Sequence, residues 1–299
     1  MPRFGYARAS TVDEAIQLLN EPGIVSRPLA GGTDMLVQIR RLKPWFDRVV
    51  DVSRLDHLRI IRQDVNTILI GAAVTYAQLL EDPLIAETAP FLAEAARKVG
   101  SLQIRNVGTL GGNVINAAAC ADSLPPLVCL DALAHLRSRA GERAVPVQEL
   151  IMKPHSAEIQ EGELLTHISF MRPPQDVKTK FIKLGRRNAQ SISRLSIAAM
   201  GRANQDGVID FIRLAPGAAT PKTVRLNSVE ADLKGQQVSG KLIIEAGEKV
   251  AREMIAITGT RWSTAYKEVA IRALTERVLR HVLLAGRDAI ADRPDGKSG

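Results

Sequence analysis

Two Gly-Gly pairs occur in this 299-residue chain, Gly31-Gly32 and Gly111-Gly112, and each has hydrogen-bonding neighbours. The first reads AGGTD, bringing Thr33 and Asp34; the second reads TLGGN, bringing Thr109, Leu110 and Asn113. Glycine has no Cβ, so it reaches positive φ and lets main-chain N–H groups approach a ligand closely, which suits a diphosphate. A single such pair is as readily an ordinary turn. Two of similar design, 80 residues apart (31 to 111), could close on one diphosphate from two sides. Neither fits the GxGxxG fingerprint of dinucleotide folds, and no GxxxxGKS/T phosphate loop is present.

The elements that must carry these loops follow from hydrophobic period and punctuation. Thr11 to Glu14 reads as a capping box opening a helix with Ala15, Ile16, Leu18 and Leu19 inward, ended by Glu21-Pro22-Gly23. SRPLA then runs extended into the first glycine turn, and Thr33 or Asp34 caps a second helix. RVVDVS (48–53) and NTILIGAAV (66–74) read as buried strands. Thr75 starts a helix that ends at Asp82-Pro83, and Pro90 opens the next, which stops at Gly100. The segment GSLQIRNVGTLGGNVINAAACADSLP (100–125) is expected to be a glycine-rich loop. LPPLVCLDALAHLRS and the strand ELLTHISFMRPP complete a first domain, 1–174, with subdomains of about 1–58 and 59–174.

Pro173-Pro174 and QDVKTK form the linker to a second domain, 175–287. There FIKLGRRN, SISRLSIAAMGRAN and an antiparallel GVIDFIRLAPGAA precede helices near 223–234, 241–254 and 263–285. The last helix carries Tyr266, Val269, Ala270, Ala273, Leu274, Val278, Val282 and Leu283 at helical spacing, a core stripe. Residues 288–299 are expected to be a disordered tail.

Composition narrows the function. No run of about 18 apolar residues exists, and MPRFGYARASTVDEA lacks the apolar core of a signal peptide, so the expectation is a cytoplasmic chain with no membrane span. Net charge is +8, yet the basic residues are dispersed among acids in groups such as Arg40-Arg41, Arg186-Arg187 and Arg202, without a nucleic-acid-binding motif. A basic surface meeting acidic partners or anionic ligands is the expected meaning, with no nucleic acid. Cys120 and Cys129 support neither a disulfide framework nor a zinc or iron–sulfur site, and the five histidines are scattered without metal-ligand spacing, so no metal is expected on this chain.

Three segments in order, LAGGTDMLVQIRR, QIRNVGTLGGNVINAAACADSLPPL and KLGRRNAQSISRLSIAA, resemble the FAD-binding medium subunit of the molybdenum hydroxylases. Those include bacterial xanthine dehydrogenase, carbon monoxide dehydrogenase, nicotinate dehydrogenase and 4-hydroxybenzoyl-CoA reductase. The resemblance covers residues 1–285. It implies an α+β chain: an FAD-binding domain of the vanillyl-alcohol-oxidase (PCMH) type in two subdomains, plus a smaller α+β C-terminal domain. It also implies FAD contacts at Leu29, Ala30, Gly31, Gly32, Thr33 and Asp34, and at Thr109, Leu110, Gly111, Gly112 and Asn113.

Asp122, nine positions after Asn113, matches a family acid facing the ribityl or flavin region; read from the residues alone it is equally an N-cap for SLPPLVCL. Leu165 matches an aliphatic residue beside the isoalloxazine, or is plain strand core. Lys183 matches a lysine near the flavin, or is a surface cation. Cys120 reads as a small side chain rather than a redox thiol. The cysteine-rich insertion of the 4-hydroxybenzoyl-CoA reductase branch is absent.

The resemblance further implies no catalytic residue on this chain. A large molybdopterin subunit would oxidise substrate, and a small subunit with two 2Fe–2S clusters would relay electrons through FAD to an acceptor such as NAD. A dimer of heterotrimers and, mildly, a purine-type substrate are the accompanying expectations. The alternative is a stand-alone FAD-dependent oxidoreductase of the same fold.

Overall fold

The computed structural model describes residues 4–41, 46–187 and 190–284, so the expected tail at 288–299 lies outside the described residues. The architecture of the described residues is α+β, with three larger sheets that follow one another along the chain and one two-stranded ribbon.

The first unit is a parallel sheet of β1 (Gly5–Arg8), β2 (Ser26–Leu29) and β3 (Arg48–Asp51), ordered β1-β3-β2, with helices α1 (Val12–Leu19) and α2 (Met35–Arg41) in the crossovers. Thr11 caps α1 by accepting from the Glu14 N–H. The Glu14 carboxylate returns to the N–H and hydroxyl of Ser10, one residue earlier than a reciprocal capping box requires. Ala15, Ile16 and Leu19 pack onto Val50, Val52 and Leu58, while Leu18 stays only partly buried.

The second unit is an antiparallel sheet ordered β4-β5-β10-β6-β7, from β4 (Ile61–Asp64), β5 (Thr67–Gly71), β6 (Leu133–Ser138), β7 (Gly141–Pro146) and β10 (Leu164–Met171). Between β5 and β6 run six short helices: α3 (Tyr76–Glu81), α4 (Pro83–Thr88), α5 (Pro90–Arg97), α6 (Leu102–Val107), α7 (Leu110–Asn116) and α8 (Leu124–Cys129). After β7 come α9 (Val147–Leu150) and the ribbon β8 (Ile151–Lys153) with β9 (Ser156–Ala157). Two expectations are corrected. Pro83 does not lead into a gap but starts α4, at the first turn where its missing N–H costs nothing. The segment 100–125 is not a loop: α6 and α7 occupy most of it, capped by Ser101 and Thr109. Phe91 and Leu92 of α5 are fully buried in this core, where truncating the Phe91 ring would cost about 3–5 kcal/mol.

The third unit is the antiparallel sheet of β11 (Lys178–Leu184), β12 (Leu195–Ala203) and β13 (Ile209–Gly217), followed by α10 (Asn227–Leu233), α11 (Gly240–Thr258) and α12 (Thr264–Leu284). Strand β12 is buried on both faces. Ile197 and Ala199 face the helices, whereas Ala198 and Met200, with Phe181 and Ala215, enter the core of the second unit. The α12 stripe is partly corrected: Leu274, Val278, Val282 and Leu283 are buried with Ile271 and Leu279, but Tyr266, Val269 and Ala273 are exposed. Among the described residues no helix is long and apolar enough to cross a membrane.

Candidate functional site

Strand β2 delivers Leu29 and Ala30 into the first glycine turn. Gly32 has φ +69°, the left-handed region that glycine enters without strain. Gly31 is required for another reason: a Cβ there would lie 1.9 Å from the Val107 carbonyl oxygen. The carbonyls of Gly32 and Asp34 accept from Leu36 and Gln38, whereas the N–H groups of Gly31, Gly32, Thr33 and Asp34 find no acceptor among the described residues. This turn offers a row of free donors.

The second turn is built differently. Thr109 caps α7, its Oγ1 accepting from the Gly112 N–H at 3.1 Å, and the Asn113 N–H bonds to the Thr109 carbonyl. The Leu110 and Gly111 N–H groups go to Val74 and Ala72 carbonyls at 2.9 and 3.0 Å. The expectation that both turns extend free amides to a ligand is therefore corrected, since the second turn's amides are bonded within the chain. Gly111 is glycine because a Cβ would meet Ala72 at 2.6 Å. Gly112 is exposed, and its Cβ would meet only the Thr109 Oγ1, at 2.8 Å. What α7 presents outward is a bare backbone surface at Gly112. Beside it, the Asn113 side-chain oxygen accepts from Ser123 at 2.5 Å.

Asp122 and Lys183 come together as a buried ion pair at 2.6 Å, each side chain 6% exposed. The second Asp122 oxygen accepts from Ser193 at 2.5 Å, and the Lys183 ammonium also donates to the Lys98 carbonyl at 2.9 Å. Burial pushes the Asp122 carboxyl above its usual range, against the opposing pull of Lys183 and Ser193. Lys183 is thus no surface cation. Nor does Asp122 cap α8, whose N-cap position is Ser123. Leu165 is strand core, 4% exposed and opposite Leu136; the next residue, Thr166, accepts from Ala72, against which Gly111 packs. The Cys120 thiol is half-buried and pushed up by burial and by Asp122, so it stays protonated, in keeping with an inert small side chain.

Sequence reasoning missed two participants. Tyr76, the first residue of α3, is 2% exposed, and its hydroxyl has no hydrogen-bond partner although Ser123 lies beside it. Burial pushes this phenol far up, with Asp122 and Asp34 near enough to add to the effect. Ser193 is the other. Its only sequence signal is a place in the KLGRRNAQSISRLSIAA segment. The histidines are also less scattered than their spacing implies: His135 and His167 stack with ring centroids 4.0 Å apart, across β6 and β10.

Comparison with known proteins places this geometry. The profile of the FAD binding domain in molybdopterin dehydrogenase matches residues 2–172, and that of the CO dehydrogenase flavoprotein C-terminal domain matches residues 180–282. The chain belongs to this flavoprotein family. Among its relatives are the glyceraldehyde dehydrogenase medium chain of Sulfolobus acidocaldarius, 30% identical over 94% of this chain and 99% of that one, and the xanthine dehydrogenase FAD-binding subunit of Escherichia coli O157:H7, 31% identical over 94% and 96%. Carbon monoxide dehydrogenase of Hydrogenophaga pseudoflava superposes with a TM-score of 0.87 at 25% identity, over 94% of this chain and 97% of that one. This flavoprotein is accordingly an FAD-binding medium subunit of the molybdenum hydroxylase type, and an oxidoreductase subunit.

Proposed function

We propose that this subunit is the electron exit of a multi-subunit molybdenum hydroxylase, taking electrons from 2Fe–2S clusters of a small subunit while a molybdopterin-bearing large subunit oxidises substrate. FAD, when bound, supplies the step between one-electron carriers and a two-electron acceptor such as NAD. The assembly is read as a dimer of heterotrimers in the cytoplasm, with domains at 1–174 and 175–287.

The observation that carries this reading is the buried Asp122–Lys183 pair, which links the segments 1–174 and 175–287 and adjoins the second glycine turn through the Ser123–Asn113 hydrogen bond. Three features suit an FAD. The amides of Gly31 to Asp34 are free donors for diphosphate oxygens, with Leu29 and Ala30 leading the chain to them. The bare face at Gly112, with Thr109, Leu110, Gly111 and Asn113 holding it rigid, lets a large ligand approach the backbone. The buried Tyr76 hydroxyl lacks the partner that a buried polar group requires.

An ammonium has three N–H bonds, and Lys183 commits two of them, to Asp122 and to Lys98. The third is left to orient a ligand oxygen. Asp122 holds that ammonium in place, and Ser193 keeps Asp122 fixed. Leu165, one strand away from Ala72, backs the site with apolar surface.

The test is an absorption spectrum of the chain purified with added FAD, followed by heat release and by analysis of co-purified subunits for molybdenum and iron. Non-covalent FAD on this chain and metal-bearing partners are expected. A chain that takes up FAD but purifies from its native cells with no molybdenum or iron partner would overturn the assembly.

A further inference from the structure

The first turn of α12 closes a second cavity, about 250 Å³ in volume, against the turn that follows β13. Its polar lining is Thr220, Thr258, Arg261, Ser263, Thr264 and Lys267, and no acidic residue lines it. Lys267 and Arg261 are joined by Arg194, whose guanidinium stacks over Tyr266 at 5.9 Å. None of these three cations has a carboxylate partner among the described residues. Burial and the charges of Arg261 and Arg194 lower the pKa of Lys267. Two like charges, Arg261 and Lys267, line this concave surface with no counter-ion, and Arg194 lies near enough to Lys267 to add to the repulsion, an arrangement that a bound anion would relieve.

The donors are held in place by the backbone. Lys267 donates one N–H to the Ala218 carbonyl at 2.9 Å, leaving two for a ligand. Arg261 is fixed by its Nε–H to the Thr258 carbonyl at 3.1 Å and by its N–H to the Thr264 hydroxyl at 2.7 Å. That hydroxyl therefore has its own proton to give, and the Ser263 hydroxyl makes no bond within the described residues. Thr220 and Thr258 spend their hydroxyl protons on the carbonyls of Lys222 and Met254. Donors thus come from four residues, Arg261, Ser263, Thr264 and Lys267; with two N–H bonds from Lys267 and the guanidinium N–H groups of Arg261 they outnumber the roughly four acceptor sites of a planar carboxylate and suit the three terminal oxygens of a tetrahedral phosphate. The volume falls just below the range of about 300–1,000 Å³ usual for drug-sized ligands, which fits a small ester and leaves no room for a dinucleotide.

We propose that this cavity, bounded by Arg261, Ser263, Thr264 and Lys267, binds the phosphate group of a small phosphate monoester. The site is separate from the glycine turns and does not depend on them. It touches the FAD-domain segment through Ala119, three residues before Asp122, and through Pro154.

The test is calorimetric titration of the full chain, saturated with FAD, with inorganic phosphate and separately with acetate. Saturable phosphate binding is expected, weakened about tenfold or more in Lys267→Met and in Arg261→Met, since each removes a charged hydrogen bond. Lys267→Arg should retain it, and Arg202→Met, which removes a cation paired elsewhere, should bind as the parent does. Flavin absorbance should be the same in all of these. No phosphate binding by the parent chain, undiminished binding in Lys267→Met, or acetate binding as tight as phosphate would each overturn the proposal.

Discussion

Gly31 and Val107 lie in such close contact that a methyl group on the Gly31 Cα would sit 1.9 Å from the Val107 carbonyl oxygen. Through this one contact the turn after β2 is packed onto the end of α6, which leads directly into Thr109 and the second turn. Gly31→Ala is expected to force the two turns apart, lowering stability by about 1–3 kcal/mol and weakening FAD binding. Thermal unfolding with and without FAD checks this; an unchanged melting temperature in both states would show that the contact is soft.

Gly112→Val and Gly32→Val should behave differently. A Cβ at 112 meets only the Thr109 hydroxyl, so Gly112→Val should cost the folded chain about 1 kcal/mol while FAD affinity falls steeply. Valine at 32 would also have to adopt φ +69°, strain of about 1–3 kcal/mol that weakens folding and binding together. Cys120→Ser should retain FAD. Paired urea unfolding and flavin fluorescence titrations separate these outcomes.

Lys183→Met leaves Asp122 buried without its cation and should destabilise the chain by about 3–5 kcal/mol at neutral pH. The sign with pH follows from the carboxyl. Asp122 binds its proton more tightly in the folded chain than in the unfolded one, so stability falls as pH rises through the folded pKa. Removing Lys183 extends that fall to higher pH, and the loss should shrink toward acid pH. The double variant Lys183→Met, Asp122→Leu should recover much of it. A loss independent of pH would mean that Asp122 is not the group left stranded.

Much of this was readable from sequence, and the reasons differ by residue. Gly32 and Thr109 act through their own φ and their own cap, local properties that AGGTD and TLGGN display directly. The helices α6 and α7 were not legible: at six and seven residues, interrupted by Gly108 and containing Gly111-Gly112, neither completes a hydrophobic period. Ser193 and Tyr76 were missed because their roles exist only after folding brings Ser193 to a carboxylate 71 residues away and seals the Tyr76 hydroxyl beside Ser123. Tyr266, Val269 and Ala273 stand at i, i+3 and i+7 on the outward face of α12, opposite the buried face of Ile271, Leu274, Val278 and Val282, and an apolar pattern on both faces does not show which one is covered.

Tyr76→Phe removes a buried hydroxyl that has no partner in the chain itself. Without FAD the variant should be as stable as the parent or up to about 1 kcal/mol more stable, and with FAD it should lose affinity. Equal FAD affinity in the two proteins would exclude Tyr76 from the site.

The stacked pair of His135 and His167 gives an acid-sensitive point elsewhere in the fold. Burial and the neighbouring charges lower the His167 pKa to about 4, so the unfolded chain binds its proton more readily. Stability should be full above about pH 6.5 and fall as pH drops toward 4. His167→Gln should flatten that limb of a stability-versus-pH curve, which denaturant unfolding at stepped pH measures.

The most direct test of one FAD site formed by both turns is the dissociation constant for FAD of Gly112→Val, measured by flavin fluorescence on a variant shown by its melting curve to be folded. A weakening of about a hundredfold or more, with the fold intact, is the predicted result, because a side chain at 112 occupies the bare surface where the ligand must lie. FAD binding equal to that of the parent chain would contradict the two-turn site.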